Sequence, residues 1–236
     1  MNKLLAALLA LCFGTACQQP TVADPGGGVG LESNSVGPVQ PIDHPAIDIT
    51  KPLHSALPQR LRVAQLRGTF PAVMGTELDG GVVTWRVGST TLGLDSYGDT
   101  LGEADYLAIT EDNLEPSPLY LKFMDDAARD VCNRALTADY ARPLATERAI
   151  LRFVDKTQTV ANAASAVDAN LRYLKLRFHG IKLEADDDQQ ISGLRTLFSS
   201  VTTSSANGTT VDSTDIREGW RAVCVALLVA PEFHLY

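Results

Sequence analysis

Apolar and polar positions alternate with a helical period through the second half of the chain. Ser117 suits an N-cap and Pro118 a first helical turn, after which Leu119, Phe123, Ala127 and Val131 recur every four residues. Tyr120, Met124, Ala128, Cys132 and Leu136 fill the adjoining stripe. The opposite face carries the acid-first pairs Asp125/Arg129 and Asp130/Arg134, which support a helix at i,i+4 spacing. Leu144, Ile150, Leu151, Phe153 and Val154 predict another helix over 144–156. In 159–179, Val160, Ala164, Val167, Leu171, Leu174 and Phe178 trace one face, and Gly180 supplies the stop. A further helix is expected over 187–200, with Ile191, Leu194, Leu197 and Phe198 inward, followed by a polar loop over 199–213. Asp215 with Glu218 reads as the start of a last helix. Its core positions are Trp220, Val223, Cys224, Leu227 and Leu228, and Pro231 ends it.

The section before Pro116 is less regular. Leu61, Ala64 and Phe70 predict a short helix within 59–75, broken at Pro71 because proline lacks the N–H that a helix interior needs. Glycine turns dominate 76–104, and Val82, Val83, Trp85 and Val87 suggest a short strand. Together these elements predict a mainly α protein, an irregular helical bundle with a loop-rich N-terminal section and one short strand pair.

Upstream of this domain the pattern changes twice. Residues 18–57 hold six prolines with the run Gly26-Gly27-Gly28, three Ser and one Asn. Such a composition buries too little apolar surface to offset its ordering entropy. Residues 1–16 place Lys3 before an apolar run over 4–13 and end in Gly14-Thr15-Ala16, directly before Cys17. That run falls well short of the about 20 apolar residues needed to span a bilayer. This layout resembles a bacterial lipoprotein signal. The resemblance implies acylation of the Cys17 thiol as the first mature residue, and Gln18 after it implies sorting to the outer membrane. An ordinary signal peptide cut near Ala16 is the other reading. The expected organisation is therefore a signal peptide over 1–16, a lipid-anchored tether over 17–57 and a helical domain over 58–236.

Charge and cysteine content narrow the possible roles. The net charge of −8 argues against nucleic acid as a partner, because phosphates require basic surface. With Cys12 in the leader and Cys17 acylated, Cys132 and Cys224 remain. An even pair in an exported protein reads as a disulfide, with two buried free thiols as the alternative.

Candidate chemistry is sparse. The chain has no glycine-rich phosphate loop, no Gly-x-Ser-x-Gly elbow, no His-Glu-x-x-His and no haem-attachment motif. His44, His54, His179 and His234 are isolated, so no metal and no cofactor is expected, and no catalytic residue stands out. The acidic runs Glu184, Asp186, Asp187, Asp188 and Glu111, Asp112, Glu115 read as solvated surface. The basic set Arg172, Lys175, Arg177, His179 and Lys182 is the exception in an acidic chain. Arg172, Lys175, Arg177 and Lys182 could receive an acidic partner or lipid headgroups, or could simply complement a helix C-terminus.

Three stretches carry a family resemblance. Arg142-Pro143-Leu144 with Glu147, the C-terminal Trp220…Leu227-Leu228…Pro231-Glu232-Phe233 and, more loosely, Arg60-Leu61…Gln65-Leu66-Arg67 are similar to helical modules of planctomycete-type cytochrome-linked proteins of unknown function. The resemblance implies an exported helical domain within a multiprotein surface or periplasmic assembly. The haem motif of those larger proteins is missing here, so neither cofactor nor redox activity is implied. The functional expectation is a non-enzymatic accessory or binding lipoprotein of the cell envelope, with the membrane and an envelope protein as partners. An exported enzyme, such as a hydrolase, is the alternative.

Overall fold

A computed structural model describes residues 58–107, 109–184, 188–208 and 210–236. The expectations placed on 1–16, on Cys17, on the tether over 17–57, on His44 and His54, and on Asp186 and Asp187 lie outside these residues. The described residues belong to one unit, Leu53–Tyr236.

The protein is mainly α. In chain order it has α1 (Val63–Met74), β1 (Arg86–Val87), β2 (Thr91–Leu92), α2 (Gly93–Ser96), α3 (Pro118–Ala141), α4 (Val160–His179), α5 (Asp188–Ala206), α6 (Ser213–Val229) and α7 (Pro231–His234). The antiparallel pair β1/β2, with Arg86 opposite Leu92, is the one sheet among the described residues. None of the described helices is long and apolar enough to cross a membrane.

Helix α6 is the centre of the core and packs against both α3 and α5. Its expected stripe is buried throughout: Trp220, Val223, Cys224, Leu227 and Leu228. The facing side of α3 is lined by Ala127, Ala128, Val131, Cys132, Ala135 and Leu136. Small side chains there let the two helices approach closely, and Cys132 and Cys224 meet in a disulfide with Cα atoms 5.9 Å apart. On its other side α6 presents Gly219 to α5. A Cβ at Gly219 would lie 2.3 Å from Thr202 Oγ1 and 2.9 Å from the Phe198 ring, so the contact requires glycine. Phe198 and Trp220 pack with ring centroids 4.5 Å apart.

Several elements differ from expectation. Helix α1 runs through Pro71 and stops at Gly75, whose N–H reaches the Pro71 carbonyl at 2.9 Å. Burial of Phe70, Val73 and Met74 on both sides of the proline outweighs the one hydrogen bond it forfeits. Helix α5 continues through the segment expected to be a polar loop, because Thr202 and Ala206 are buried against the core. The N-cap of α6 is Asp212, not Asp215. Asp212 Oδ1 accepts from Thr214 N at 2.7 Å, and Asp215 caps back onto Asp212 N at 2.9 Å. On α3 the inward stripe centres on Tyr120 and Met124, leaving Leu119 exposed. The largest departure is 144–156, where only Ala145–Glu147 forms a short 3-10 turn.

The two ends of the domain pair with each other. Gln59 and Tyr236 exchange backbone hydrogen bonds at 2.9 and 2.8 Å, and Leu61 N donates to His234 O at 2.8 Å.

Candidate functional site

The segment expected to be a helix over 144–156 is instead a loop held from three sides. Asp139, on the last turn of α3, is fully buried, and its carboxylate accepts the N–H groups of Ala149 at 2.8 Å, Ile150 at 2.7 Å and Leu151 at 2.9 Å. One side chain thus satisfies three donors that a helix would otherwise pair with its own carbonyls. From α4, Asn170 accepts from Phe153 N at 3.1 Å and donates to Ile150 O at 3.1 Å, while the Tyr173 hydroxyl donates to Ala149 O at 3.0 Å. Arg148 ties the loop to itself. It is 4% exposed and donates to the carbonyls of Arg142, Pro143 and Val154 at 3.0–3.1 Å.

This loop, the C-terminus of α1 and one face of α4 enclose a cleft of about 400 Å³. Four arginines line it: Arg142, Arg148, Arg152 and Arg177. Arg142 reaches across to Thr76, donating to its carbonyl at 2.7 Å and its hydroxyl at 2.9 Å. Arg177 donates from Nε to Val73 O at 2.6 Å and from Nη2 to Ala72 O at 3.2 Å, closing the carbonyl end of α1. Arg152 donates to Thr146 O. Gly75 forms part of the wall at φ +80°, and a Cβ there would sit 3.0 Å from the Ala149 Cβ.

Most of these partners are neutral carbonyls, so the guanidinium charges are anchored without being cancelled. Asp139 approaches Arg142 at 3.5 Å and Asp155 approaches Arg148 at 3.5 Å. Among the described residues no carboxylate pairs with Arg152 or Arg177, and Glu147 is the single acid lining the cleft. In a chain of net charge −8 this is a local concentration of positive charge.

The four cations expected to act together do not gather. Arg177 alone enters the cleft. Lys175 donates to His179 Nδ1 at 3.1 Å, whose Nε2 in turn donates to Leu227 O at 2.9 Å, joining α4 to α6. Lys182 pairs with Glu184 at 2.8 Å on the surface, and Arg172 is half-buried on α4. The periodicity of α4 accounts for the split: Arg172 and Lys175 are one turn apart, whereas Arg177 lies 140° around the helix from Arg172. Arg148 and Arg152 carry no expectation from the sequence, and Arg142 enters there only through the family resemblance. The available signal is three arginines within eleven residues, two of them inside the stretch expected to be a helix.

A second groove, about 430 Å³, is lined by Glu77, Asp79, Asp130, Asn133 and Arg134. Most of its charges are paired, Glu77 with Arg86 at 2.9 Å and Asp130 with Arg134 at 3.0 Å, while Asp79 accepts from Gly81 N at 2.9 Å. No cluster of His, Cys, Asp and Glu suited to a metal occurs among the described residues. In the acidic loop, Asp112 accepts from Ala104 N at 2.9 Å, so it orders the backbone.

Arg60, Tyr120 and His234 form a buried cluster where the domain ends meet. The Arg60 guanidinium lies 4.7 Å over the Tyr120 ring, and the Tyr120 and His234 rings are 5.6 Å apart. Burial lowers the His234 pKa, with the Val229 carbonyl opposing, and pushes the Tyr120 hydroxyl up to about 12. A histidine whose folded pKa is depressed stabilises the fold above its unfolded value of about 6.5 and loses that contribution as pH falls towards the folded value. Urea midpoints measured at pH 7 and pH 5 should therefore drop on acidification. The drop should be smaller in His234→Asn; an equal drop would assign it to other groups.

No protein-family model, no curated protein and no solved structure matches the chain.

Proposed function

We propose that this chain is an exported lipoprotein, acylated at Cys17 and tethered through residues 17–57 to the outer membrane. In this reading the helical domain is a non-enzymatic binding module of a cell-envelope assembly, and the arginine-lined cleft is its working surface. The observation that carries the reading is the disulfide between Cys132 and Cys224, buried in the core of a chain whose first residues resemble an export leader. A structural disulfide forms and persists in an oxidising compartment, which is where such a leader delivers a protein. The cleft fits a receptor role. Its arginines are held by backbone carbonyls of two separate segments, so a partner would meet donors already fixed in place.

Fractionation of cells making the full chain tests the anchor. Wild-type protein is expected with the outer membrane, and Cys17→Ala is expected in the soluble periplasmic fraction. Equal solubility of the two would count against lipidation.

A further inference from the structure

We infer that the cleft formed by Arg142, Arg148, Arg152 and Arg177 is a binding site for a phosphate monoester group. The inference rests on the reading of the domain as a binding module and names the ligand class of that site.

A guanidinium has five N–H donors in a planar fork and no acceptor. Arg177 spends Nε and one Nη2 donor on the carbonyls of Val73 and Ala72, and Arg152 uses Nη1 on Thr146. Each retains donors beyond those its described partners use. Planar forks of this kind match the oxygens of a phosphate bidentately, and such charge-assisted bonds are about twice as strong as neutral ones.

Charge points the same way. Arg142 and Arg148 have acidic neighbours at 3.5 Å, whereas no carboxylate pairs with Arg152 or Arg177 among the described residues, so the cleft stays net positive even with Glu147 on its wall. A phosphate monoester carries about −1.5 to −2 at neutral pH. That matches two arginines better than a single carboxylate does.

Shape and the remaining wall complete the case. About 400 Å³ is within the lower range of small-molecule sites and exceeds what a bare phosphate fills. Tyr173, whose ring lies 5.9 Å from the Arg177 guanidinium, contributes an aromatic surface. Glu147 lines the same cleft and offers an acceptor for a hydroxyl. These features suit an organic phosphate whose body bears hydroxyl groups, either free in solution or as a lipid headgroup.

The full chain should be titrated calorimetrically with inorganic phosphate, glycerol 3-phosphate and acetate, and in sedimentation with vesicles containing phosphatidic acid. Saturable binding is expected for both phosphates, tighter for glycerol 3-phosphate and weaker at higher salt. Binding to the soluble compound alone identifies a free ligand, and retention on these vesicles beyond that on phosphatidylcholine vesicles, which the acyl anchor alone can bind, identifies a headgroup. Arg152→Gln and Arg177→Gln should each weaken binding about tenfold, the loss of roughly one charge-assisted bond. Lys182→Gln, outside the cleft, should leave it unchanged. Arg152 makes a single backbone bond, so its variant keeps the test meaningful if Arg177→Gln disturbs α1. Acetate binding as tight as phosphate, no saturable phosphate binding, or binding indifferent to Arg152→Gln would overturn the inference. Protein that fractionates through Cys17 yet takes up no phosphate would overturn it while leaving the anchor reading intact.

Discussion

Replacing Asp139 by alanine is expected to destabilise the domain by about 3–5 kcal/mol, the cost of removing one partner from a buried charged network. The carboxylate accepts from Ala149, Ile150 and Leu151, all buried, and lies 3.5 Å from Arg142. Each orphaned N–H costs about 1–3 kcal/mol if it stays dry. Local opening of the loop would admit water and recover part of that sum. Asparagine keeps the volume and one acceptor but turns an amide N–H₂ towards backbone donors, so Asp139→Asn should lie between alanine and wild type. Urea unfolding of the three proteins measures this directly. A loss under about 1 kcal/mol for Asp139→Ala would mean that the loop is held by Asn170, Tyr173 and Arg148 without it. Because the same loop carries Arg142, Arg148 and Arg152, the variant should also lose phosphate uptake.

The second large effect concerns the cysteines. Cys132 and Cys224 are 92 residues apart and both fully buried. Closing a loop of that length stabilises by about 4–5 kcal/mol in the chain-entropy model, an upper figure in practice. The double variant Cys132→Ala/Cys224→Ala should therefore melt lower by roughly 8–20 °C, at about 2–4 °C per kcal/mol for a domain of this size. Thiol reductant should act slowly on the folded protein, because exchange needs access to a sulfur and neither is exposed. If oxidised wild type and the double variant unfold at the same urea concentration, the bond contributes nothing to stability.

Periodicity exposed much of this fold. The stripes of α3, α4 and α6 could be read from residues such as Met124, Leu171 and Trp220, because burial of one face imposes a 3.6-residue repeat. Burial of both cysteine stripes in one small core also made their pairing legible. What escaped was decided by tertiary partners. Ser199 to Ala206 reads as a loop because Ser and Thr are weak helix formers, yet close contact at Gly219 buries Thr202 and extends the helix. Ile150, Leu151 and Val154 are as apolar as a helix core, and nothing local reveals that Asp139 takes the backbone donors of that segment. The cleft was hidden for a related reason. Arg177 sits on α4, 25 residues after Arg152, and only the fold of the loop against the end of α1 brings the two onto one surface.

The pairing of Gln59 with Tyr236 has a topological consequence. Entry and exit of the chain are separated by one hydrogen-bonded pair, so the described fold is close to a closed ring. Such a domain is a cassette: a longer polypeptide could carry it as an insertion at a single surface turn, since the gap to be bridged in the host spans only a strand spacing of about 5 Å. The same proximity means that a sequence appended after Tyr236 emerges beside Gln59. Such an extension would leave the domain beside the point where the described chain enters it.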